Sequence, residues 1–438
     1  MHMKKLLAVL LICCTVLSLC AAGLANTAGD WEYILWEDGT LEIIRYTGRD
    51  TEVTIPEVLD GKKVAVVGDY SFSENKRITG VVFPNSVTEI GRYAFENCTS
   101  LTGVTLSDHL TGIGDGAFSG CDELSGVTIP DGVTDIGDGA FYFCVSLAEV
   151  TIPDGVTRIG EYAFGNCSSL KSIVIPDSVA DIGESVFFEC TDLTDVTLSR
   201  GMKRIENGMF RLCGSLENII IPDSVTGIGK SAFSNCESLT GITIPDSVES
   251  IEDNAFVSCA SLASITIPDS VTDFGEGVFL WCPALASVTL SGGITKIGTN
   301  PFYQCAGLKE IVVSPDHPYL AVTDGVLFSR PDKRLISYPR GLEAETYQVP
   351  DGTRIIGDYA FKGCESLGSV IIPDGVTDIG EAAFLDCASL SSVTIPAGVT
   401  GIGDEAFSGC DSLTAIVSRG SYAEQYCMDN HVNYAYSD

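Results

Sequence analysis

Apolar and polar positions follow two rhythms that take turns along this chain. From Ala140 to Leu147, the residues Ala140, Phe141, Cys144 and Leu147 are separated by steps of one, three and three, which places them on one face of a short helical turn. Val150 and Ile152 then alternate with Glu149 and Thr151, the period of two of a strand. Pro153, Asp154 and Gly155 make a turn, and Val156 and Ile159 return to the core before Gly160. The pattern predicts one coil built of a strand, a turn, an apolar return and a short helical turn.

The coil repeats. Cysteine stands at Cys98, Cys121, Cys144, Cys167, Cys190, Cys213, Cys236, Cys259, Cys282 and Cys305, then at Cys364, Cys387 and Cys410, every gap within a run being 23 residues. Asn75 holds the same register one period earlier, and a phenylalanine lies three residues before it in all fourteen units, from Phe72 to Phe407. A fixed period in this range predicts a solenoid. One unit has too few apolar side chains to offset the ordering of its own backbone, so burial must be shared between stacked neighbours.

The pattern divides the chain. Residues 1–25 place Lys4 and Lys5 before an apolar run and small residues, the layout of a secretory signal peptide, with an uncleaved anchor over residues 6–25 as the alternative. Residues 26–66 hold two of the three tryptophans and are expected to form an N-terminal cap, and residues 418–438 a C-terminal one. Repeats fill 67–315 and 346–417. Between them, 316–345 is an irregular coil in which Val326–Ser329 and Arg334–Tyr338 are expected to form a hairpin around a Pro-Asp turn. A local insertion in a regular solenoid is a candidate binding element.

Composition narrows the partners. The formal charge is −34 and becomes −36 when Lys4 and Lys5 leave with the signal. Such a field repels nucleic acid and anionic lipid, so neither is an expected partner, and no later stretch is apolar enough to enter a membrane once the signal is cleaved. Carboxylates recur at Asp131, Asp154, Asp177, Asp223, Asp246, Asp269 and Asp374, always in the turn after the strand, where turn chemistry accounts for them without calcium. Beyond the signal the histidines are His109, His317 and His431, far apart and with no Cys-x-x-Cys, which argues against a zinc site and against Cys-His or Ser-His-Asp catalysis. No catalytic, metal or cofactor-binding residue is assigned, and no cofactor is expected. The thirteen ladder cysteines are read as a structural core ladder of free, buried thiols, because copies on packed helical turns would be about 8–10 Å apart, too far for a disulfide.

The unit "IPDGVTDIGDGAFYFCVSLAEVTIP" closely resembles the BspA-like type of leucine-rich repeat, with its Ile-Gly, Ala-Phe, Cys and Leu, and the resemblance covers residues 64–417 apart from the insertion. It implies an α/β solenoid, a right-handed leucine-rich repeat superhelix with parallel strands on one face and short helical turns on the other. It also implies a secreted or cell-surface protein without enzymatic activity, acting in adhesion to host matrix or cell-surface proteins.

The expected binding surface is the outward column of the strands, Thr105, Thr128, Thr151, Thr197, Thr243, Thr266, Thr289 and Thr394. Threonine also favours strands for its own reasons, so a ladder of it has a structural explanation as well. The alternative function is an extracellular carbohydrate-binding module, which would need an aromatic cluster around the insertion, with Tyr319, Phe328, Tyr338 and Tyr347 as its members.

Overall fold

The computed structural model describes residues 25–437; the expected signal therefore lies, apart from Ala25, outside the described residues. Coils lie side by side and most contribute two short strands. In one coil Gly126–Thr128 pairs in parallel with Glu149–Thr151 of the next, with Val127 opposite Val150. Asp135–Ile136 pairs in parallel with Arg158–Ile159. This second ladder occupies the segment that the apolar pattern marks only as a return to the core. Two residues are too few to display a period of two, so the pattern carries no strand signal there.

The remaining side of the coil is made of turns. Gly139 and Phe141 donate their N–H groups to Glu161 and Ala163 of the next coil at 2.7 and 2.8 Å, whereas Tyr142 and Cys144 donate back to Gly139 and Phe141 at 2.9 and 3.2 Å. Alternate amides thus leave the coil. That geometry uses left-handed backbone at two residues four apart, here Gly139 and Phe143 with φ of 60° and 59°. A right-handed helix keeps its amides within itself, so the expected helical turns take a different form, and the one α-helix among the described residues is Tyr422–Asp429.

Between the ladders lies a core of columns. From Phe95 to Phe164 successive rings stack at 5.2–5.4 Å with planes within 6° of parallel. Ala140, Cys144, Leu147, Val156 and Ile159 are fully buried beside Phe141 and Phe164. The glycine before each turn is needed for close approach and not for a special φ. A Cβ on Gly137 would lie 2.5 Å from the Asp115 nitrogen and 2.6 Å from the Gly114 carbonyl carbon, both rigid backbone of the preceding coil. Glu206 replaces this glycine, and the second ladder, continuous from Lys62–Val67 to Asp181–Ile182, is interrupted before Arg204–Ile205 of that coil. Glu252 makes the same replacement without a break, held with Glu206 by Arg204 at 2.6 and 3.5 Å.

Both ends are closed. Asn26–Ala28, Trp31–Leu35 and Leu41–Tyr46 form an antiparallel meander whose Trp31 and Tyr46 rings lie 6.1 and 5.3 Å from Phe72, the first ring of the column. At the other end Ser421 caps the helix through the Glu424 N–H, Ala423 and Cys427 turn into the core, and Asn433–Tyr436 adds a last parallel strand to Thr414–Val417.

Phe141 and Cys144 test this account of the core. Phe141→Ala is expected to destabilise the solenoid by about 3–5 kcal/mol and Cys144→Ala by about 1–2 kcal/mol, read as thermal midpoints by circular dichroism. Equal midpoints for Phe141→Ala and wild type would contradict the ring column as the main source of cohesion.

Candidate functional site

The outward side chains of the first ladder meet no other element. Thr105, Thr128, Thr151, Thr197, Thr243 and Thr266 are exposed, and Thr289 and Thr394 are half-buried. Their column also holds apolar residues, Val82, Val174, Ile220, Val312 and Ile371, and Ile220 is 85% exposed, more than any other large apolar side chain described. Around it the ladder thins. Between Asp195–Thr197 and Ser264–Ile267 the only pairing on this face is a single bridge, Ile220 to Thr243.

Two depressions lie on this face. The larger, about 940 Å³, is lined by Ile220, Thr243 and Thr266 along its floor and by Asp246 and Asp269 at the turn side. The smaller, about 450 Å³, gathers Thr105, Thr128 and Thr151, with Asp108 and Glu149 beside them. The structure therefore brings five of the eight column threonines into two shallow acidic-edged grooves. The sequence pattern places Ile220 in the column but gives no sign of how far it stands out, because that depends on the loss of neighbouring ladder bonds.

The four aromatics around the insertion do not form an exposed cluster. Tyr319 is exposed and Phe328 half-buried, but Tyr338 is 4% exposed and Tyr347 8%. Tyr338 is a core residue, contrary to its expected place on a binding surface. Its ring stacks on Phe361 at 5.1 Å, so it heads the second run of the ring column, and Tyr347 packs against it at 5.1 Å. The 23-residue spacing from Tyr338 to Phe361 carried this signal, since tyrosine there simply keeps the register.

The irregular coil is anchored at both sides. Leu320–Thr323, Val326–Ser329 and Arg334–Ser337 form a three-stranded antiparallel meander, and the last of these pairs in parallel with Ile355–Ile356. Leu335 to Tyr338 is two residues shorter than the equivalent Ile356 to Phe361. The coil on the far side reaches across this short stretch, with Asn300 Nδ2 donating to the Tyr359 carbonyl at 2.9 Å and Tyr303 stacking on Tyr359 at 5.0 Å. His317, 2% exposed, fixes the start of the meander. Its Nδ1 accepts from the N–H groups of Tyr319 and Leu320 at 3.1 Å, which leaves Nε2–H to donate to the Ser291 carbonyl at 3.1 Å. Burial lowers its pKa, so it is a neutral structural tie.

The cysteine ladder is organised by carbonyls. Cys144 Sγ donates to the Phe118 carbonyl of the preceding coil at 3.1 Å, and eleven other ladder thiols make the same bond at 2.9–3.2 Å. Cys364 faces the Tyr338 carbonyl at 3.9 Å. All fourteen cysteines described are free and buried. Distance is not the reason, as the helical-packing expectation of 8–10 Å would have it, because the coils stack at the ring spacing of about 5 Å. Each thiol is instead occupied with its carbonyl. Asn75 takes this register in the first unit, which no ladder phenylalanine precedes. Among the described residues no group of three or more His, Cys, Asp or Glu side chains is placed to hold a metal. Two of the turn aspartates serve the backbone, Asp177 and Asp269 accepting the N–H groups of Arg200 and Gly292 at 2.9 and 2.6 Å.

A family model described as BspA type Leucine rich repeat region (6 copies) matches residues 65–194, 111–240, 203–321 and 340–433, well over half of the chain. Among solved structures, a leucine-rich repeat protein from Bacteroides ovatus is 28% identical, aligned over 94% of this chain and 100% of that one with a TM-score of 0.66. One from Eubacterium ventriosum is 23% identical over 88% of this chain and 94% of that one, with a TM-score of 0.48. A leucine rich cell surface protein from Faecalibacterium prausnitzii is 28% identical over 95% of each chain, with a TM-score of 0.34. A search of curated proteins finds no match.

Burial sets the chemistry of the thiols. It pushes Cys144 and Cys190 up to about 12, whereas an unfolded cysteine titrates near about 8.5. Above that pH the unfolded chain loses thiol protons that the folded chain keeps, so this contribution is complete below about pH 8.5 and is lost as pH rises toward the folded value. Each of these two thiols adds a slope of up to about 1.4 kcal/mol per pH unit. The protein is expected to unfold steeply in alkali while its ladder cysteines resist alkylation at about pH 8. Mass spectrometry after iodoacetamide treatment checks this; rapid labelling of Cys144 in the folded protein, or a disulfide between ladder cysteines, would sink it.

Proposed function

Because the chain belongs to the BspA type leucine-rich repeat family, we propose that it is an exported, non-enzymatic scaffold that binds protein partners through the outward face of its first strand ladder, acting in adhesion at or near a cell surface. The observation that carries this reading is the pair of depressions centred on the threonine column, with Ile220 85% exposed in the larger. An open strip of threonine and β-branched apolar side chains on a rigid ladder offers a long, shallow contact area, which suits a protein surface better than an enclosed small-molecule site. Export rests on the layout of residues 1–25, with Lys4 and Lys5 ahead of the apolar run.

The glycan reading has less support on the strand face, because Tyr338 and Tyr347 are core residues and the larger depression is lined by no aromatic side chain. Point substitutions are the appropriate probe of this face, since removing residues 316–345 would take Leu335 and Tyr338 out of the core.

The purified protein is to be screened against immobilised host matrix proteins and glycan arrays, alongside Ile220→Glu and Thr243→Glu, both at exposed positions, with stabilities expected within about 0.5 kcal/mol of wild type. The expected result is binding to one or more proteins, weakened on the order of tenfold or more by Ile220→Glu. Binding confined to glycans, or protein binding indifferent to both substitutions, would overturn the reading.

A further inference from the structure

The turn side of the coils carries a feature that the fold does not require. In the left-handed position just before each ladder cysteine, neighbouring coils place Gly120 and Asn166, residues that accept this backbone readily, but one coil places Phe143, with φ 59° and 45% exposed. The other left-handed position of the next coil holds Tyr162, φ 53° and 37% exposed, where Gly139 and Ser185 stand in the coils on either side. Two bulky rings thus occupy strained backbone and face solvent, although smaller residues make the same turns. Strained backbone at an exposed ring, kept here as it is at Tyr70 and Trp281, is the kind of outlier from which a functional role is inferred.

These rings belong to one chain of four. Tyr142 lies 4.6 Å from Phe143 and 5.7 Å from Tyr162, which lies 6.0 Å from Phe188. Adjacent planes are inclined by 67–81°, so the chain offers notches between ring faces and no flat platform on which a sugar ring would lie. The Arg211 guanidinium already lies over the Phe188 ring, 5.6 Å from its centre. The surroundings favour a cation as well, with Glu161 and Glu189 next to Tyr162 and Phe188 in sequence and a chain charge of −34.

We propose that the ring chain Phe143, Tyr142, Tyr162 and Phe188 is a docking surface for a basic segment of a protein partner, whose arginine and lysine side chains lie over the free ring faces as Arg211 lies over Phe188. The proposal rests on the protein-binding reading above and adds a second contact side to it. A partner that grips both the strand groove and the turn side encloses the solenoid, and its basic segment supplies the charge that the groove's aspartates also attract.

The test compares the purified protein with a Phe143→Gly, Tyr162→Ser double variant, in which each new residue is one that the same position carries elsewhere in the chain. The thermal midpoint of the double variant is expected to be no lower than that of wild type, so a binding loss is not a folding loss. The probe is a fluorescein-labelled nona-arginine peptide, titrated by anisotropy at about 0.15 M salt, where only nearby charges act. The double variant leaves the charge unchanged and is expected to weaken peptide binding on the order of tenfold. Ile220→Glu, on the strand face, is expected to leave it intact. Equal peptide affinity for wild type and the double variant overturns the proposal, as does no peptide binding by wild type, or a double variant that loses glycan-array binding in place of peptide binding. Matrix-protein binding lost in Ile220→Glu but untouched in the double variant overturns this proposal and leaves the strand-groove reading standing.

Discussion

Everything in this molecule follows from one constraint: each coil must complete its hydrogen bonds and its core with the coil beside it, at a single spacing near the 5.4 Å that separates Phe118 from Phe141. The ring column shows the constraint in its apolar form and the alternating amides of the turns show it in polar form. Gly139 and Phe141 send N–H groups forward while Tyr142 and Cys144 bond locally, so no amide of the turn is left without a partner. The cysteine answers a problem that this arrangement creates. The phenylalanine carbonyl has capacity for a second donor inside an apolar core, and the side chain that fills the register must be small and apolar and still offer a proton. Cysteine meets all three requirements, which is why a residue suggestive of chemistry recurs as a packing element.

The departures are intelligible on the same terms. Where the close-approach glycine becomes Glu206 the second ladder is interrupted, and Arg204 gathers Glu206 and Glu252 so that two carboxylates pressed toward neighbouring backbone have a shared counter-charge. In the irregular coil the column survives as Tyr338, the cysteine register becomes Gly341, and the shortened turn is spanned by Asn300, Tyr303 and Arg340, the last bonding Gln304 at 2.7 Å and pairing with Glu365. The insertion is therefore bolted into the stack on both sides. It interrupts the sequence repeat and parts the buried core into two clusters, while Asn300 and Tyr303 join the coils across it.

The sequence made legible what repeats and is buried. Phe141, Cys144 and Leu147 could be assigned to one core face from spacing alone, and Val150 and Ile152 to a strand, because burial imposes a period that side-chain type reports. The second ladder was not legible, since Asp135–Ile136 is only two residues long, one half-buried and one buried, and shows no repeated alternation. Nor were the left-handed turns, because Gly, Asn, Ser, Glu and Phe all occupy the same backbone position in different coils and no residue type marks it. Tyr338 and Tyr347 were misplaced for a related reason. An aromatic residue in an irregular stretch looks free to face solvent, and only its 23-residue register with Phe361 ties it to the core.

The same constraint indicates where function is free to vary. A core position cannot change without disturbing two neighbours, so the inside of the stack is uniform and carries no information about a ligand. Two kinds of position escape: the outward residues of the first strand and the left-handed residues of the turn. In the first kind variation costs little, and threonine gives way to Val174 and Ile371 within paired strands. In the second a large side chain carries a conformational cost of roughly 1 kcal/mol or more relative to glycine, yet Phe143 and Trp281 hold it in the open, 45% and 56% exposed. The costly positions are the more informative ones. A threonine column is explained by strand preference, whereas an exposed ring in strained backbone has no explanation inside the fold, and so points outward to whatever the turn side meets.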